Sequence, residues 1–204
     1  MNVRINDFVE FVKDNIKYQG NVIEVKDDSF SINALINDKL ERIDNLYECD
    51  MDKIISHTVL CYIDNGDSYL MLLRNKRKND MNEGKWLGVG GHVNFKESLD
   101  EALIREVKEE TNLNLFEYNN RGIVYFYNGN YLEVMHLYTS DSFSGELIEC
   151  DEGTLKWIKK PEILNLNLWE GDRVFLPLLM ENEPYFEIGL HYNKDNKLEK
   201  VERY

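Results

Sequence analysis

The sequence is poor in several features that mark particular classes of protein. Only 3 of its 204 residues are prolines, and no apolar run approaches the roughly 20 residues that a helix needs to cross a bilayer. The opening residues, MNVRINDFVEF, lack the apolar stretch behind a basic start that marks a secretory signal. Together with a hydrophobic fraction of 43%, these absences predict a globular chain that has no membrane partner and is neither disordered nor fibrous.

Cysteine and positive charge are also scarce. The three cysteines, Cys49, Cys61 and Cys150, are scattered and lack metal-ligand spacing, which favours buried thiols in a reducing cytoplasm. With 24 basic against 38 acidic residues, the net charge of -14 would repel a nucleic-acid polymer over most of the surface. A phosphorylated small molecule stays compatible with this charge, because a bound divalent cation reverses the local field.

The first 50 residues differ in texture from the rest. Apolar residues in INDFVEFVKDNI (5–16) are close to helical spacing, and DKLERIDNLY (38–47) is a candidate for a second short helix. Between them, NVIEV and SFSINALI flank KDD, which predicts a hairpin. We expect a small α+β appendage over residues 1–50, whose role as a packing element, an interaction surface or a substrate lid stays open.

Residues 51–204 have the pattern of an α/β domain. Strand-like runs flank the turns DNGD, GN and KDNK, which predicts three hairpins. TLKWI (154–158) predicts a further strand, and DRVFLPLLMEN (172–182) predicts a helix.

The chemistry lies in GGHVNFKESLDEALIREVKEETNL, residues 90–113. Ser98 followed three residues later by Glu101 is a capping-box pattern, which predicts a helix from about Leu99 to Thr111. Asn112 is a suitable stop, since asparagine tolerates the left-handed conformation that often ends a helix.

Three glutamates of this helix, Glu106, Glu109 and Glu110, raise a question of charge. At about 100° per residue they fall in the same wedge as the apolar face of the helix, so they continue the buried stripe and do not oppose it. Carboxylates on an inward face need a counter-charge or a raised pKa, and the single Arg105 cannot balance all three. A divalent cation that prefers oxygen ligands, Mg²⁺ or Mn²⁺, resolves the repulsion and suits a phosphate substrate.

At these positions the sequence resembles the Nudix hydrolases, whose signature is G-x5-E-x7-R-E-U-x-E-E-x-G-U, with U a bulky apolar residue. The matching residues are Gly91, Glu97, Arg105, Glu106, Val107, Glu109, Glu110 and Leu113. Asn112 is the one departure, since the signature has glycine there. The resemblance extends from about residue 54 to the end and implies a Nudix α/β/α sandwich with a mixed β-sheet, an α/β fold, over residues 51–204.

The resemblance implies a role for each matching residue. The three helix glutamates and the backbone carbonyl of Gly90 would bind the metal, and Glu97 would bind the metal or a water on it. Arg105 would orient the glutamates through paired hydrogen bonds. Catalysis would rest on Arg105, Glu109, Glu110 and a further acid.

The further acid comes from ECDEGTLKW. Glu152 matches the loop position where related enzymes carry a ligand or general base, and Glu149 and Asp151 are near enough in the chain to compete for that role.

A weaker resemblance concerns the substrate. LWEGDRVFLPLL and PYFEIGLHYNKDNKLEKVE resemble the oxidised purine nucleoside triphosphatase (8-oxo-dGTP diphosphatase) subgroup of MutT-like enzymes. Trp169 and Asp172 fall on two of its base-contacting positions, whereas Gly171 replaces an aspartate and Leu87 replaces an asparagine. An indole offers a flat face to a base, and a carboxyl group accepts or, when protonated, donates a hydrogen bond. A core tryptophan and a helix N-cap are the alternatives for Trp169 and Asp172.

Two further residues complete the candidate substrate contacts. Trp86 fits the tryptophan of the same subgroup, and His92 follows the glycines, where it could contact a phosphate.

The resemblance implies a Mg²⁺-dependent pyrophosphohydrolase that acts on a small-molecule nucleotide, a nucleoside triphosphate of the oxidised purine kind. Hydrolysis of ADP-ribose, a nucleotide sugar or a dinucleoside polyphosphate stays open. A sensor that binds a nucleotide without cleaving it is a third reading, against which the intact helix glutamates argue. The oligomeric state stays open.

Overall fold

The computed structural model describes residues 3–13, 16–36, 39–47, 50–76 and 80–204. None of the helices in these ranges combines the length and the apolar character needed to cross a bilayer. The described residues form β1 (Phe8–Lys13), β2 (Ile16–Val25), β3 (Phe30–Ile36), β4 (Lys39–Leu46), β5 (Lys53–Asp64), β6 (Ser68–Leu73), β7 (Trp86–Leu87), β8 (Val89–His92), α1 (Leu99–Thr111), β9 (Asn114–Asn128), β10 (Tyr131–Ser144), β11 (Thr154–Lys159), α2 (Lys160–Ile163), α3 (Asp172–Met180), β12 (Phe186–Tyr192) and β13 (Leu198–Arg203).

The strands form one mixed sheet in the order β13-β12-β9-β10-β5-β1-β2-β3-β4. β10 runs parallel to β5 and β12 runs parallel to β9, while β9 and β10 pair antiparallel. β6 pairs with β5, β7 and β11, and β8 pairs with β5. The three hairpins predicted for residues 51–204 are confirmed, as is the strand at TLKWI.

Helices cover the two faces of β5 and confirm the sandwich. Cys61 and Ile63 belong to the smaller core cluster, which contains the buried side of α1. Tyr62 points the other way, into the larger cluster, where its ring meets Phe175 of α3 edge-on at a centroid distance of 6.3 Å. Alternate residues of a strand face opposite sides of the sheet, so α1 and α3 lie on opposite faces.

α1 begins and ends as the sequence predicts. The Ser98 hydroxyl accepts from the Glu101 backbone N–H at 3.3 Å, and Glu101 accepts from the Ser98 backbone N–H at 2.9 Å, which completes the capping box. Asn112 adopts the left-handed conformation, with φ 62° and ψ 8°, and therefore ends the helix at the position where the signature has glycine.

The helix predicted over residues 5–16 is wrong: residues 8–13 form β1, residue 16 begins β2, and residues 5–7 form a turn before β1, while residues 14 and 15 lie outside the described residues. Val9 and Phe11 are buried and Val12 is exposed, so burial alternates along the chain as it does in a strand. Val9 pairs with Ile54 of β5, and this long-range pairing decides the conformation of a segment whose apolar spacing alone suits either structure.

The short helix predicted over residues 38–47 is also wrong, because residues 39–46 form β4, and residue 38 is not described. β4 is the last strand of the sheet order and is mostly exposed and rich in charge, as edge strands often are. The KDD hairpin between β2 and β3 is confirmed. Strands thus replace the helices expected in the first 50 residues, and the division of the chain at residue 50 stays a prediction.

Cys61 and Cys150 are free and buried, as expected. Burial raises the pKa of the Cys61 thiol to about 12. Cys49 lies outside the described residues.

Candidate active site

β8 brings the backbone of Gly90 and Gly91, which we call the glycine segment, against α1. A Cβ atom on Gly91 would lie 2.6 Å from the carboxylate carbon of Glu106, and one on Gly90, whose φ is 155°, would overlap the Val59 carbonyl of β5. Only glycine allows backbone to approach this closely. The carboxylate end of α1 therefore rests directly on the main chain of β8.

The three helix glutamates are not equally buried. The Glu106 side chain is 15% exposed and Glu110 is 6% exposed, whereas the Glu109 side chain is 61% exposed. Glu110 Oε2 accepts from the Gly90 backbone N–H at 2.9 Å. Burial raises the pKa of Glu106. The inward phase predicted from the sequence is thus observed for Glu106 and Glu110, and Glu109 lies at the solvent edge of the wedge.

Arg105 ties the acidic groups together. Its Nε and Nη2 donate to the two carboxylate oxygens of Glu97 at 2.7 and 2.8 Å, and its Nη1 donates to Glu106 at 2.6 Å and to Glu109 at 3.3 Å. Nη2 also donates to the His92 carbonyl oxygen at 2.9 Å. The Arg105 bonds lower the pKa of Glu97, and the bonds to Glu97 raise the pKa of Arg105. This geometry supports the orienting role that the resemblance implies for Arg105.

The oxygen atoms around the glycine segment are of the chemical type that ligates a hard divalent cation. They are the carboxylate oxygens of the three helix glutamates and of Glu97, together with the Gly90 carbonyl, and oxygen is the ligand that Mg²⁺ prefers. The Glu106 carboxylate packed against Gly91 is a buried negative charge at this place. Within the described ranges, no three acidic, histidine or cysteine side chains are close enough together to hold a metal ion. Arg105 contacts Glu106 and Glu109, and the Gly90 backbone N–H donates to Glu110.

Glu152 lines a cavity beside this carboxylate site, from the loop before β11, and forms an ion pair with Arg74 Nη1. Glu149 pairs instead with Lys76 at 2.6 Å, and its side chain is 86% exposed. Asp151 is exposed. Of the three acids that compete for the general-base role, Glu152 is the one that lines the cavity.

The cavity has a volume of about 250 Å³ and two chemically different ends. Gly90, Gly91 and Glu106 line the end at the carboxylate site, and Trp169 and Asp172 line the other end, which we call the base end. Apolar side chains form much of the wall, among them Leu72, Leu87, Phe126, Met135 and Leu190.

Trp169 is held in a fixed orientation at the base end. Its indole N–H donates to Asn82 Oδ1 at 2.8 Å, and its ring meets Tyr192 at 90° with centroids 5.8 Å apart. Lys85 Nζ lies 5.1 Å from the ring centroid. The indole packs against the larger core cluster and lines the cavity at the same time, so both readings of Trp169 describe part of its surroundings.

Asp172 is 6% exposed and accepts from the Trp169 backbone N–H at 3.2 Å. Burial raises its pKa from 3.8 to about 7. The N-cap of α3 is Gly171 and not Asp172, which is the first residue of the helix. The carboxyl group is thus a buried acid that holds a proton up to about neutral pH and faces a cavity.

The structure explains why residue 171 is glycine. A Cβ atom there would overlap Leu190 Cδ1 and would lie 2.8 Å from the Tyr192 hydroxyl oxygen, which accepts from the Gly171 backbone N–H at 2.7 Å. The leucine and the tyrosine together fill the space that an aspartate would need at this position.

The two remaining predicted contacts differ in their location. Trp86 in β7 pairs with Leu73 and packs against the larger core cluster, and it does not line the cavity, whereas its neighbour Leu87 does. His92 lines the cavity beside Arg4. Burial and the neighbouring arginines lower the pKa of His92 to about 3, so its ring is neutral.

Sequence reasoning missed seven polar residues that line the cavity: Arg4, Thr58, Arg74, Asn82, Asn94, Glu133 and Tyr192. Arg74 is the first polar residue after the buried strand β6, a position that could have suggested a site. Arg4 and Glu133 come from segments far apart in the chain that only the pairing of β1 and β10 with β5 brings together. No motif marks them.

Comparison with known proteins agrees with this fold. The NUDIX domain model matches residues 56–179, more than half of the chain. An oxidized purine nucleoside triphosphate hydrolase from Danio rerio is 29% identical over 137 residues, which cover 64% of this chain and 88% of that protein.

Solved structures show the same fold. A MutT protein from Bacillus halodurans superposes with a TM-score of 0.66 at 24% identity, over 72% of this chain and 97% of that one. An ADP compounds hydrolase superposes with a TM-score of 0.52 at 14% identity, over 89% of this chain and 95% of that one. This last share exceeds what residues 51–204 alone could supply, so the likeness of fold includes part of the N-terminal strands. From the span of the family match and the shared fold, we conclude that this chain belongs to the Nudix family.

Proposed function

We propose that this protein is a Mg²⁺-dependent pyrophosphohydrolase that cleaves a nucleoside triphosphate, of the oxidised purine kind, to the monophosphate and pyrophosphate. One observation carries the proposal: a continuous cavity joins a carboxylate site at Glu106 to a base end at Trp169 and Asp172. A nucleoside triphosphate likewise joins a polyanion to an aromatic base. The similarity to the Danio rerio enzyme, whose name states an activity on oxidised purine nucleoside triphosphates, supports this class of substrate.

The proposed metal site uses the three helix glutamates and the Gly90 carbonyl, with Glu97 beside them. Bound Mg²⁺, or Mn²⁺, would neutralise phosphate charge and lower the pKa of the attacking water. Arg105 keeps Glu97 and Glu106 in place through its guanidinium fork. The hydrogen bond from the Gly90 N–H to Glu110 fixes β8 against α1.

Glu152 is the proposed general base. Its carboxylate lines the cavity, and a carboxylate oxygen there would accept the proton of the attacking water. Arg74, which also pairs with Asp80, holds this carboxylate by an ion pair, which would direct it toward the substrate.

At the base end, Asp172 would read the base as a neutral acid. Its pKa of about 7 means that at neutral pH a large fraction of the carboxyl groups is protonated, and these both donate and accept. Trp169 would offer its ring to the base, since the bond to Asn82 fixes the plane of the indole. Leu87 contributes only apolar contact where the subgroup has an asparagine.

A substrate panel tests the proposal. The full chain is incubated with Mg²⁺ and 8-oxo-dGTP, dGTP, dATP, dCTP, ADP-ribose, a nucleotide sugar or a dinucleoside polyphosphate; pyrophosphate release is measured for the triphosphates, and the nucleotide products are separated and measured for every compound. We expect pyrophosphate release, with the highest kcat/KM for a purine triphosphate. A higher kcat/KM for ADP-ribose or another diphosphate would reassign the substrate, and tight binding of one compound without turnover of any would identify a sensor.

We also propose a cytoplasmic location. The free, buried thiols of Cys61 and Cys150 support it, since a reducing compartment preserves free cysteines. Fractionation of cells that express the tagged full chain tests this location.

A further inference from the structure

The segment before β1 reaches the carboxylate end of the cavity because of strand order. β1 and β8 pair one after the other along the same edge of β5: Phe8 lies opposite Ile55, and His92 lies opposite Thr58. β1 is antiparallel to β5, so the residues before Phe8 continue toward the end of β8. Arg4 therefore lies beside His92 and lines the cavity.

The backbone of this segment is firmly anchored. The Arg4 N–H donates to Asp7 Oδ2 at 2.8 Å, and Asp7 is only 2% exposed. The Asn6 N–H donates to the Val22 carbonyl at 2.8 Å, and the Val22 N–H donates to the Asp7 carbonyl at 2.9 Å. Arg4 is thus fixed by bonds to β2 and by the pairing of β1.

The Arg4 guanidinium packs against the His92 ring. Its Nη1 lies 3.0 and 2.9 Å from the two ring nitrogens of His92, and these near-equal distances place it against the ring as a whole. Across the described ranges, Arg4 forms no ion pair with a carboxylate. Glu133 faces the same cavity within range of the Arg4 charge, but it forms no ion pair with Arg4 among the described residues, and its carboxylate accepts from the Thr58 hydroxyl at 2.9 Å.

The position of the Arg4 guanidinium suits the binding of an anionic ligand. A guanidinium that lines a concave site without an ion pair attracts anions, and its planar fork matches two phosphate oxygens. Gly88 lies beside the Tyr62 ring, which contacts Phe175 of α3, and His92 lies four residues farther along the chain, past Gly90 and Gly91. The phosphates of a nucleotide whose base sits by Asp172 would point toward Arg4.

We propose that Arg4 binds a phosphate group of the substrate, so that the N-terminal segment is a built-in part of the active site. The proposal rests on the proposed function for the nature of the ligand. It assigns Arg4 to the phosphates that leave as pyrophosphate, because they lie farthest from the base.

The test compares the wild type with Arg4→Gln and with the control Arg42→Gln. The Arg4 substitution keeps the backbone bond to Asp7, and the control removes one positive charge from exposed β4, where Arg42 contacts Glu24 and Asp44. KM and kcat are measured for the best triphosphate, and Kd is measured for its non-hydrolysable α,β-imido analogue and for the nucleoside monophosphate. In Arg4→Gln we expect KM and the analogue Kd to rise about tenfold, with kcat and the monophosphate Kd within about twofold. Arg42→Gln should match the wild type.

Unchanged KM and analogue Kd in Arg4→Gln would overturn the proposal, and a lower melting temperature with those constants unchanged would assign Arg4 to packing on His92. Should Arg4→Gln fail to fold, Arg4→Met decides, because it keeps the aliphatic part of the side chain and removes the charge: a raised KM and analogue Kd support the phosphate contact, and unchanged values overturn it. Failure of the proposed function is distinguishable. A wild type that binds the analogue without turning over any nucleotide would refute hydrolysis, while a raised Kd in Arg4→Gln would still support the contact.

Discussion

Replacing Asp172 by asparagine should remove a specific pH dependence from the stability of this protein. Asp172 is 6% exposed and burial raises its pKa to about 7. Asparagine has nearly the same shape, carries no charge at any pH and can still accept from the Trp169 N–H. The change therefore isolates the cost of ionising one buried carboxyl group.

The sign and size of this pH dependence follow from the linkage between protonation of Asp172 and folding. Between its ordinary pKa of 3.8 and its folded pKa of about 7, the native state holds a proton that the unfolded chain has released. The free energy of unfolding of the wild type therefore falls as the pH rises, by about 1.4 kcal/mol per pH unit, and the fall ends above about pH 7. Over the whole window this amounts to about 4 kcal/mol, and more than half of that change falls between about pH 5 and pH 8. Because the group is almost fully buried, solvent screening reduces this little.

Urea unfolding of the wild type and Asp172→Asn at about pH 5, 6, 7 and 8 measures the effect, provided that the m-values agree. The difference between the two proteins cancels every other titrating group. It should move in favour of Asp172→Asn as the pH rises. Glu146→Gln, which removes an exposed carboxylate, should show the pH dependence of the wild type.

A difference between wild type and Asp172→Asn that stays constant from pH 5 to pH 8 would refute the buried-acid reading. The same acid should govern substrate binding if it donates to the base. KM of the wild type for a purine triphosphate should then rise as the pH passes about 7, and KM of Asp172→Asn should not follow, because its amide donates at every pH.

Three further changes test other parts of the site. Glu109→Gln should lower kcat by on the order of a hundredfold or more with an unchanged melting temperature, since its side chain is 61% exposed, and an unchanged kcat would contradict the metal assignment. Trp169→Ala should raise KM for purine triphosphates by about tenfold or more and for pyrimidine ones by less, and equal effects on both would argue against a base contact. Gly171→Ala should lower the free energy of unfolding by about 1–3 kcal/mol, because the new Cβ overlaps Leu190 Cδ1 and meets the Tyr192 hydroxyl at 2.8 Å; an unchanged urea midpoint would show that both side chains move at no cost.

Local interactions explain what could be predicted well. α1 begins at Leu99 and ends at Thr111 as its sequence indicates, because the capping box at Ser98 and the left-handed Asn112 act within a few residues of the chain. The hairpins have the same origin in short turn sequences. The phase of Glu106 and Glu110 also follows from helical geometry, which is why their burial could be expected.

Long-range pairing explains what could not. Residues 8–13 carry apolar side chains that suit a helix or a strand, and the edge of β5 decides between them because β1 pairs there, with Phe8 opposite Ile55 and Val9 opposite Ile54. The same pairing carries Arg4 to His92, although 88 residues separate them in the chain.

The sequence by itself determined the family, the helix that presents the glutamates and the chemistry of their carboxylates, because each depends on residue type and spacing over a short stretch. The tertiary structure alone decided that Glu152, and not Glu149, lines the cavity, that side chains of β12 fill the space beside Gly171, and that Arg4 reaches the carboxylate end. These facts depend on which distant strands meet, and burial against those strands sets the pKa of Asp172 near 7.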